Sequence, residues 1–277
     1  MPTALCRALL LSIEGKDAVA FAQAQFTSDV GALAEGHWQW SAWLDAHGRA
    51  RALFALLRVD AERLLAWQPL GDAVAVRDAL RRYVFRSAVR LEAIDGWAVH
   101  RLDTAPPDAG RQVVASDGGY RLALPGARPR VAWIGSATGD ADPAALAQWR
   151  RDDLAARLPL LAGELAGEFV PQALELERID AIRFDKGCYP GQEIAARLHF
   201  RGGGTRARIG RARRRNRDRA HPVCRRRRRR DARPRARGRH RRRPRVGRHD
   251  RRRALAKPLR LNDFFTDCPA RPRLTPR

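Results

Sequence analysis

The sequence contains few lysines, few cysteines and no long apolar segment. Lysine supplies only 3 of the 55 basic residues, and the four cysteines, at positions 6, 188, 224 and 268, form no C-x-x-C pair. This scatter argues against a disulfide framework and against a cysteine-based zinc site. No apolar run approaches the roughly 18–20 residues of a membrane span, and the N-terminus lacks a clear signal-peptide cleavage site. We therefore expect a cytoplasmic protein with reduced thiols, no bound metal and no membrane partner.

The positive charge is confined to the end of the chain. Residues 1–200 carry 23 basic and 25 acidic side chains, whereas residues 201–277 carry 32 basic and 5 acidic ones. The net charge of +25 therefore does not make the whole chain a nucleic-acid binder. The first 200 residues have the composition of an ordinary globular protein.

The C-terminal part has too few large apolar residues for a core. It includes six consecutive arginines at 225–230, and such a segment cannot offset an ordering cost of roughly 1–2 kcal/mol per residue. We predict a core over 1–204 and a disordered tail over 205–277. Two origins remain open for the tail. It is either a functional arm that binds RNA or DNA phosphates or a frameshifted stretch. The abrupt change to a mixture of Arg, Pro, Ala and Gly favours the frameshift.

Within the core, strand-like and helix-like patterns alternate without a regular βαβ period, which predicts an α+β fold. The predicted strands cover 4–13, 38–44, 51–59, 97–102, 111–115, 119–124 and 130–134, with a hairpin joining the second and third. The predicted helices cover 17–26, 72–83 and 142 to about 158, each with an aspartate as its N-cap.

The most informative segment is Lys-Gly-Cys-Tyr-Pro-Gly-Gln-Glu, residues 186–193. Pro190-Gly191 suits the central positions of a type II turn, because glycine supplies the positive φ. Cys188 is then held on a tight loop, where the ammonium of Lys186 would lower the pKa of the thiol. The alternative is a small buried hydrophobic residue, which is the usual role of an unpaired cysteine and is slightly favoured by spacing alone.

Several motifs in the core resemble those of the YgfZ-type folate-binding proteins, which are relatives of the glycine-cleavage aminomethyltransferase (T-protein). The resemblance covers roughly residues 4–204 and is most specific in the octapeptide. It is carried by Ile13-Glu-Gly15-Lys-Asp17, Gln25-Phe-Thr-Ser-Asp29-Val30, Asp45-Ala-His-Gly48-Arg49, Phe169-Val-Pro-Gln172, Lys186-Gly-Cys-Tyr-Pro-Gly-Gln-Glu193, Ala196-Arg197 and Phe200-Arg201-Gly202.

The resemblance implies a T-protein-like folate-binding fold around a central pocket, with Cys188 as the functionally required thiol. It also implies a folate-contacting tryptophan at Trp149, for which plain core packing is an equal alternative. The further candidates for binding tetrahydrofolate or a derivative are Lys186, Gly187, Tyr189, Gln192 and Glu193. For Gln192 and Glu193, a role at the start of a helix is at least as well supported.

Two positions and the C-terminal part of the chain depart from the family pattern. Ala8 stands near an early aromatic that faces folate in some members, and Arg157 stands where relatives usually have glycine. After Gly202 nothing matches the C-terminal β-barrel of the family, so the barrel is missing or replaced by the basic tail.

Taken together, the core resembles a folate-binding accessory protein that supports assembly or repair of iron–sulfur enzymes, including tRNA-modifying ones. Its partners would be those enzymes or cluster-assembly proteins. One alternative is a tetrahydrofolate-dependent aminomethyltransferase, against which the cysteine signature argues. The other is non-specific nucleic-acid binding through the Arg-rich tail.

Overall fold

The fold is known from a computed structural model, which describes residues 2–103, 110–124, 126, 130–136 and 139–201. The predictions for the tail at 205–277, and the domain boundary at 204, lie outside the described residues. The described residues form ten strands: β1 Thr3–Arg7, β2 Leu9–Glu14, β3 His37–Leu44, β4 Ala50–Arg58, β5 Arg63–Gln68, β6 Arg90–Ile94, β7 Trp97–Leu102, β8 Val113–Ser116, β9 Gly119–Leu124 and β10 Arg130–Ser136.

The strands form two five-stranded antiparallel sheets. The first sheet has the order β1-β7-β10-β9-β8, and the second has the order β3-β4-β5-β2-β6. In the part of the chain that the structure describes, four α-helices accompany them: α1 Ala18–Gln25, α2 Ala73–Arg81, α3 Pro143–Ala155 and α4 Gln192–Arg201. The α+β class predicted from the sequence is confirmed.

Three aspartates stand at the N-cap positions of helices as predicted, and two of these three side chains form capping hydrogen bonds. Asp72 accepts a hydrogen bond from the backbone N–H of Ala75, and Asp142 accepts two at the start of α3. Asp17 precedes α1 but makes no capping bond. Its carboxylate instead accepts from the backbone N–H of Ala88 at 2.7 Å, which ties α1 to a distant loop.

The chain changes sheets at Ala8, so the single strand predicted over residues 4–13 is wrong. Ala8 donates its backbone N–H to Trp97 and separates β1 from β2. β1, which contains Cys6, lies at the edge of the first sheet. Cys6 is half-buried, and burial raises the pKa of its thiol.

A shared core lies between the two sheets, and a second core lies under the helices. The shared core takes Val99 and Ile134 from the first sheet and Trp40 and Leu65 from the second. The opposite face of the second sheet packs against α1 and α2. The tryptophans of β3 alternate between the two faces of the sheet, since Trp38 and Trp40 face the shared core and Trp43 faces the helices.

Arg157 adopts φ +57°, the left-handed conformation that glycine favours. The turn after α3 therefore keeps the backbone shape expected of a glycine, although the side chain differs.

Candidate functional site

Cys188 is exposed to solvent on the loop that leads into α4. The preceding segment, residues 181–184, forms no regular strand. Two hydrogen bonds nevertheless fix this segment to Thr27. Arg183 donates its backbone N–H to the carbonyl of Thr27, and the Thr27 hydroxyl donates to the carbonyl of Ala181. The location of Cys188 favours an accessible thiol over a packed hydrophobic residue, while its chemical role stays a prediction.

The turn that follows Cys188 packs backbone against backbone on a second glycine turn. Gly191 has φ +75°, as the type II turn requires, and Gly48 has φ +71°. A Cβ on Gly191 would lie 2.3 Å from the Asp45 carbonyl oxygen and 2.7 Å from the Cα of Gly48. A Cβ on Gly48 would lie 3.0 Å from the Gly191 carbonyl oxygen. Two motifs about 140 residues apart in the sequence therefore require glycine for the same contact.

Asp45 shapes the turn that receives Gly191. One carboxylate oxygen of Asp45 accepts hydrogen bonds from the backbone N–H groups of His47 and Arg49, at 2.9 and 3.0 Å. The Arg49 guanidinium donates to the carbonyl of Glu168 at 2.7 Å. This bond joins the glycine turn to the segment that contains the Phe-Val-Pro-Gln motif.

That motif is tied in turn to α4 and to β4. Gln172 donates its side-chain N–H to the carbonyl of Ala195, and Ala50 donates its backbone N–H to the carbonyl of Phe169, both at 2.8 Å. Several of the motifs that carry the resemblance are thus joined by hydrogen bonds around the cysteine loop.

Lys186 anchors the cysteine loop to the end of α1. Its ammonium donates to the backbone carbonyls of Gln23, Phe26 and Ser28, at 2.6, 2.6 and 2.9 Å. These three acceptors match the three donors of an ammonium group. Burial lowers the pKa of Lys186 to about 8, and the carboxylate of Asp29 acts in the opposite direction. Folate binding by Lys186 stays a prediction, and the contacts seen are structural.

Tyr189 anchors the loop from the other side of the thiol. Its ring is buried, its hydroxyl donates to the carbonyl of Arg183 at 3.0 Å, and burial raises the pKa of the phenol. The Lys186 ammonium lies 5.1 Å from the centre of this ring, within range of a cation–π interaction. Cys188 therefore lies between two anchored side chains, a geometry that holds the thiol at a fixed place on the surface.

The remaining octapeptide residues take helix-start or surface positions. Gln192 begins α4, and its side-chain oxygen accepts from the backbone N–H of Tyr189 at 3.3 Å. Glu193 forms an exposed pair with Arg197 one turn later, at 3.0 Å. Gly187 is exposed, and a Cβ there would meet no atom within 4 Å. Contacts from these residues to a folate stay predictions.

Trp149 is a core residue on α3, with only 3% of its surface exposed. The guanidinium of Arg130 lies 4.3 Å from the centre of its ring. Arg130 is held there by Asp153, which is 1% exposed, through a 2.9 Å ion pair, and Arg150 lies 3.4 Å from the same carboxylate. These contacts favour the packing alternative for Trp149, and its contact with folate stays a prediction. Sequence reasoning did not identify the Arg130–Asp153 pair.

A surface cavity of about 470 Å³ lies beside the segment that Lys186 binds. Its volume falls within the usual range of small-molecule sites. It is lined among others by Asp29, Trp38, Gln39, Arg111, Asp180 and Arg183. Sequence reasoning missed this site, because its lining residues come from three segments that lie far apart in the sequence.

No family model matches the chain. Among curated proteins, the chain is 31% identical over 204 residues to an uncharacterised protein of Haemophilus influenzae, covering 72% of this chain and 68% of that protein. It is 31% identical over 223 residues to the tRNA-modifying protein YgfZ of Klebsiella pneumoniae, covering 72% of this chain and 67% of the relative. The protein of the same name from Colwellia psychrerythraea is 26% identical over 217 residues, covering 71% of this chain and 67% of the relative.

Among solved structures, the chain is similar to the glycine cleavage system aminomethyltransferase T of Bartonella henselae. The TM-score is 0.49 at 14% sequence identity, and the match covers 72% of this chain. This chain spans 62% of the length of that structure's chain. Among the described residues, no helix has the length and apolar character that crossing a bilayer requires.

The relationship to the Klebsiella protein extends over two thirds of that protein. On this identity and coverage, the chain belongs to the YgfZ family.

Proposed function

We propose that this protein binds a reduced folate and supports tRNA modification by assisting the assembly or repair of iron–sulfur enzymes. The observation that carries the proposal is the octapeptide of the family, which presents Cys188 on an exposed loop locked to the Asp45–Arg49 turn. Two of the relatives described above are named as tRNA-modifying proteins, which supports the tRNA part of the proposal.

A reduced folate is chemically compatible with the cavity beside the cysteine loop. A pterin ring has N–H donors that match the carboxylates of Asp29 and Asp180, and the glutamate tail of a folate has carboxylates that match Arg111 and Arg183. The cavity is also linked to the loop, since Lys186 binds the carbonyl of Ser28 next to Asp29. The volume of the cavity and the charged groups that line it thus support folate binding there.

The proposed partners are iron–sulfur enzymes or the proteins that build their clusters. An exposed thiol on an anchored loop is accessible to a second protein, whereas a thiol in the core is not. Cys188 has this exposure, and Cys6 on β1 is half-buried. The proposal therefore assigns the contact with a client enzyme to Cys188.

Replacing Cys188 with serine is expected to abolish function while leaving the fold intact, because the side chain is exposed. The test uses cells that lack their own family member and expresses the full chain, the Cys188→Ser variant or a Cys6→Ser control. The readout is the level of a tRNA modification made by an iron–sulfur enzyme, measured by mass spectrometry of tRNA nucleosides. We expect the Cys6→Ser chain to restore the modification and the Cys188→Ser chain to leave it at the level of the empty vector.

Equal restoration by the Cys188→Ser chain, at equal protein abundance, would contradict the assigned role of the thiol. Tetrahydrofolate-dependent release of ammonia from an aminomethylated carrier protein would instead support an aminomethyltransferase. That activity would replace the accessory role proposed here.

A further inference from the structure

A phenylalanine stands almost fully exposed between α2 and β6. The side chain of Phe85 is 84% exposed, and Tyr83, two residues earlier, is 46% exposed. Both lie on the segment Arg82–Val89, which we call the aromatic loop. At this exposure the ring of Phe85 is not buried in the core and is accessible from outside the protein.

The aromatic loop is held in place at both ends. The ring of Tyr83 packs edge to face on Trp43, with centroids 6.4 Å apart. At the other end, the backbone N–H of Ala88 donates to Asp17 at 2.7 Å. A Cβ on Gly15 would lie 2.1 Å from the carbonyl oxygen of Ala88, so the two backbones are in close contact. The loop therefore presents Phe85 from a defined position.

Two arginines of the aromatic loop lie close to Phe85 in the sequence, and the carboxylate of Asp17 contacts the loop at Ala88. Within the described ranges, neither Arg82 nor Arg86 forms an ion pair, and the Arg86 guanidinium lies 5.4 Å from the centre of the Phe85 ring. Lys16 is exposed and follows Gly15, the residue in contact with the loop. An exposed aromatic ring beside Arg86, on a loop that also carries Arg82, has the composition of a single-stranded nucleic-acid contact.

We propose that the aromatic loop binds a single-stranded segment of RNA, with a base stacked on Phe85 and phosphates paired with Arg82, Arg86 and Lys16. One ring among cations suits a base and its phosphates better than a lipid surface, which would need a broader apolar face. The loop is separate in sequence from both the octapeptide and the Arg-rich tail. The inference does not depend on folate binding.

The test measures protection of individual arginines in the full chain, because the tail also carries many arginines. The chain is treated with phenylglyoxal at single-hit dose, with and without a 12-nucleotide oligouridine, and modified arginines are located by peptide mass spectrometry. We expect the RNA to slow modification of Arg82 and Arg86 at least threefold. Phe85→Leu, which keeps the apolar character but removes the stacking ring, should abolish this protection, and Phe85→Trp should retain it.

Val74→Ala is the matched control, since Val74 is also exposed on the neighbouring helix α2 but carries no ring. It should leave the protection of Arg82 and Arg86 unchanged. Equal modification rates with and without RNA at these two arginines would overturn the proposal, as would full protection in the Phe85→Leu chain. Protection by anionic phosphatidylserine vesicles but not by oligouridine would also overturn it and would assign the loop to a membrane surface.

Discussion

Replacing Gly191 with alanine is expected to lower the free energy of unfolding by about 3 kcal/mol or more, or to displace the cysteine loop. The φ of +75° disfavours any side chain, and the new Cβ would lie 2.3 Å from the Asp45 carbonyl oxygen and 2.7 Å from the Cα of Gly48. Both obstacles are backbone atoms, so a rotamer change cannot relieve the clash. Urea unfolding followed by tryptophan fluorescence measures the loss.

Gly187→Ala is the control in the same motif. A Cβ on Gly187 would meet no atom within 4 Å, and its φ lies outside the left-handed region. We expect a change of less than about 1 kcal/mol, because alanine is tolerated where the backbone conformation is ordinary. A Gly191→Ala chain as stable as the Gly187→Ala chain, with unchanged hydrogen exchange at 45–49, would contradict the backbone contact described here.

Replacing Asp153 with alanine is expected to cost about 3–5 kcal/mol, since removing one partner of a buried ion pair leaves the other charge unpaired. Asp153 is 1% exposed and its partner Arg130 is 8% exposed. The loss should also release the Arg130 guanidinium from the ring of Trp149. Thermal and urea unfolding of the purified chain measure the stability, and near-ultraviolet circular dichroism reports the tryptophan environment.

Two comparisons separate this effect from a general loss of charge. Glu193→Ala breaks the exposed pair with Arg197 and should cost less than about 1 kcal/mol. Combining Asp153→Leu with Arg130→Met removes both buried charges and should recover much of the loss. An Asp153→Ala chain no less stable than the Glu193→Ala chain would show that the buried pair does not support α3.

The parts of the fold that the sequence predicts well are those whose signals are local. The β3–β4 hairpin, the N-caps of α2 and α3 and the positive φ of Gly191 follow from turn and capping residues beside them. The octapeptide identifies the cysteine loop for the same reason, because its residues are contiguous.

Other parts could not be predicted because tertiary contacts decide them. Four consecutive residues of β5, Leu64–Trp67, are buried, so the strand lacks the alternation that marks a half-exposed strand. The change of sheet at Ala8 has no glycine or proline to signal it.

The long-range hydrogen-bond and ion-pair partners in and near the candidate site could not be predicted from the sequence either. Lys186 looks from the sequence like a neighbour that acts on the Cys188 thiol. Its hydrogen-bond partners are backbone carbonyls about 160 residues away, which no local pattern indicates. The Arg130–Asp153 pair joins β10 to α3 in the same way.

The central claim is that a YgfZ-family core binds a reduced folate, and isothermal titration calorimetry tests it most directly. The experiment titrates tetrahydrofolate into the full chain under anaerobic conditions, after circular dichroism has shown cooperative unfolding. We predict saturable heat that fits one site per chain and is displaced by 5-formyltetrahydrofolate. The absence of heat from a folded chain, together with no competition between these folates in equilibrium dialysis, would contradict the account.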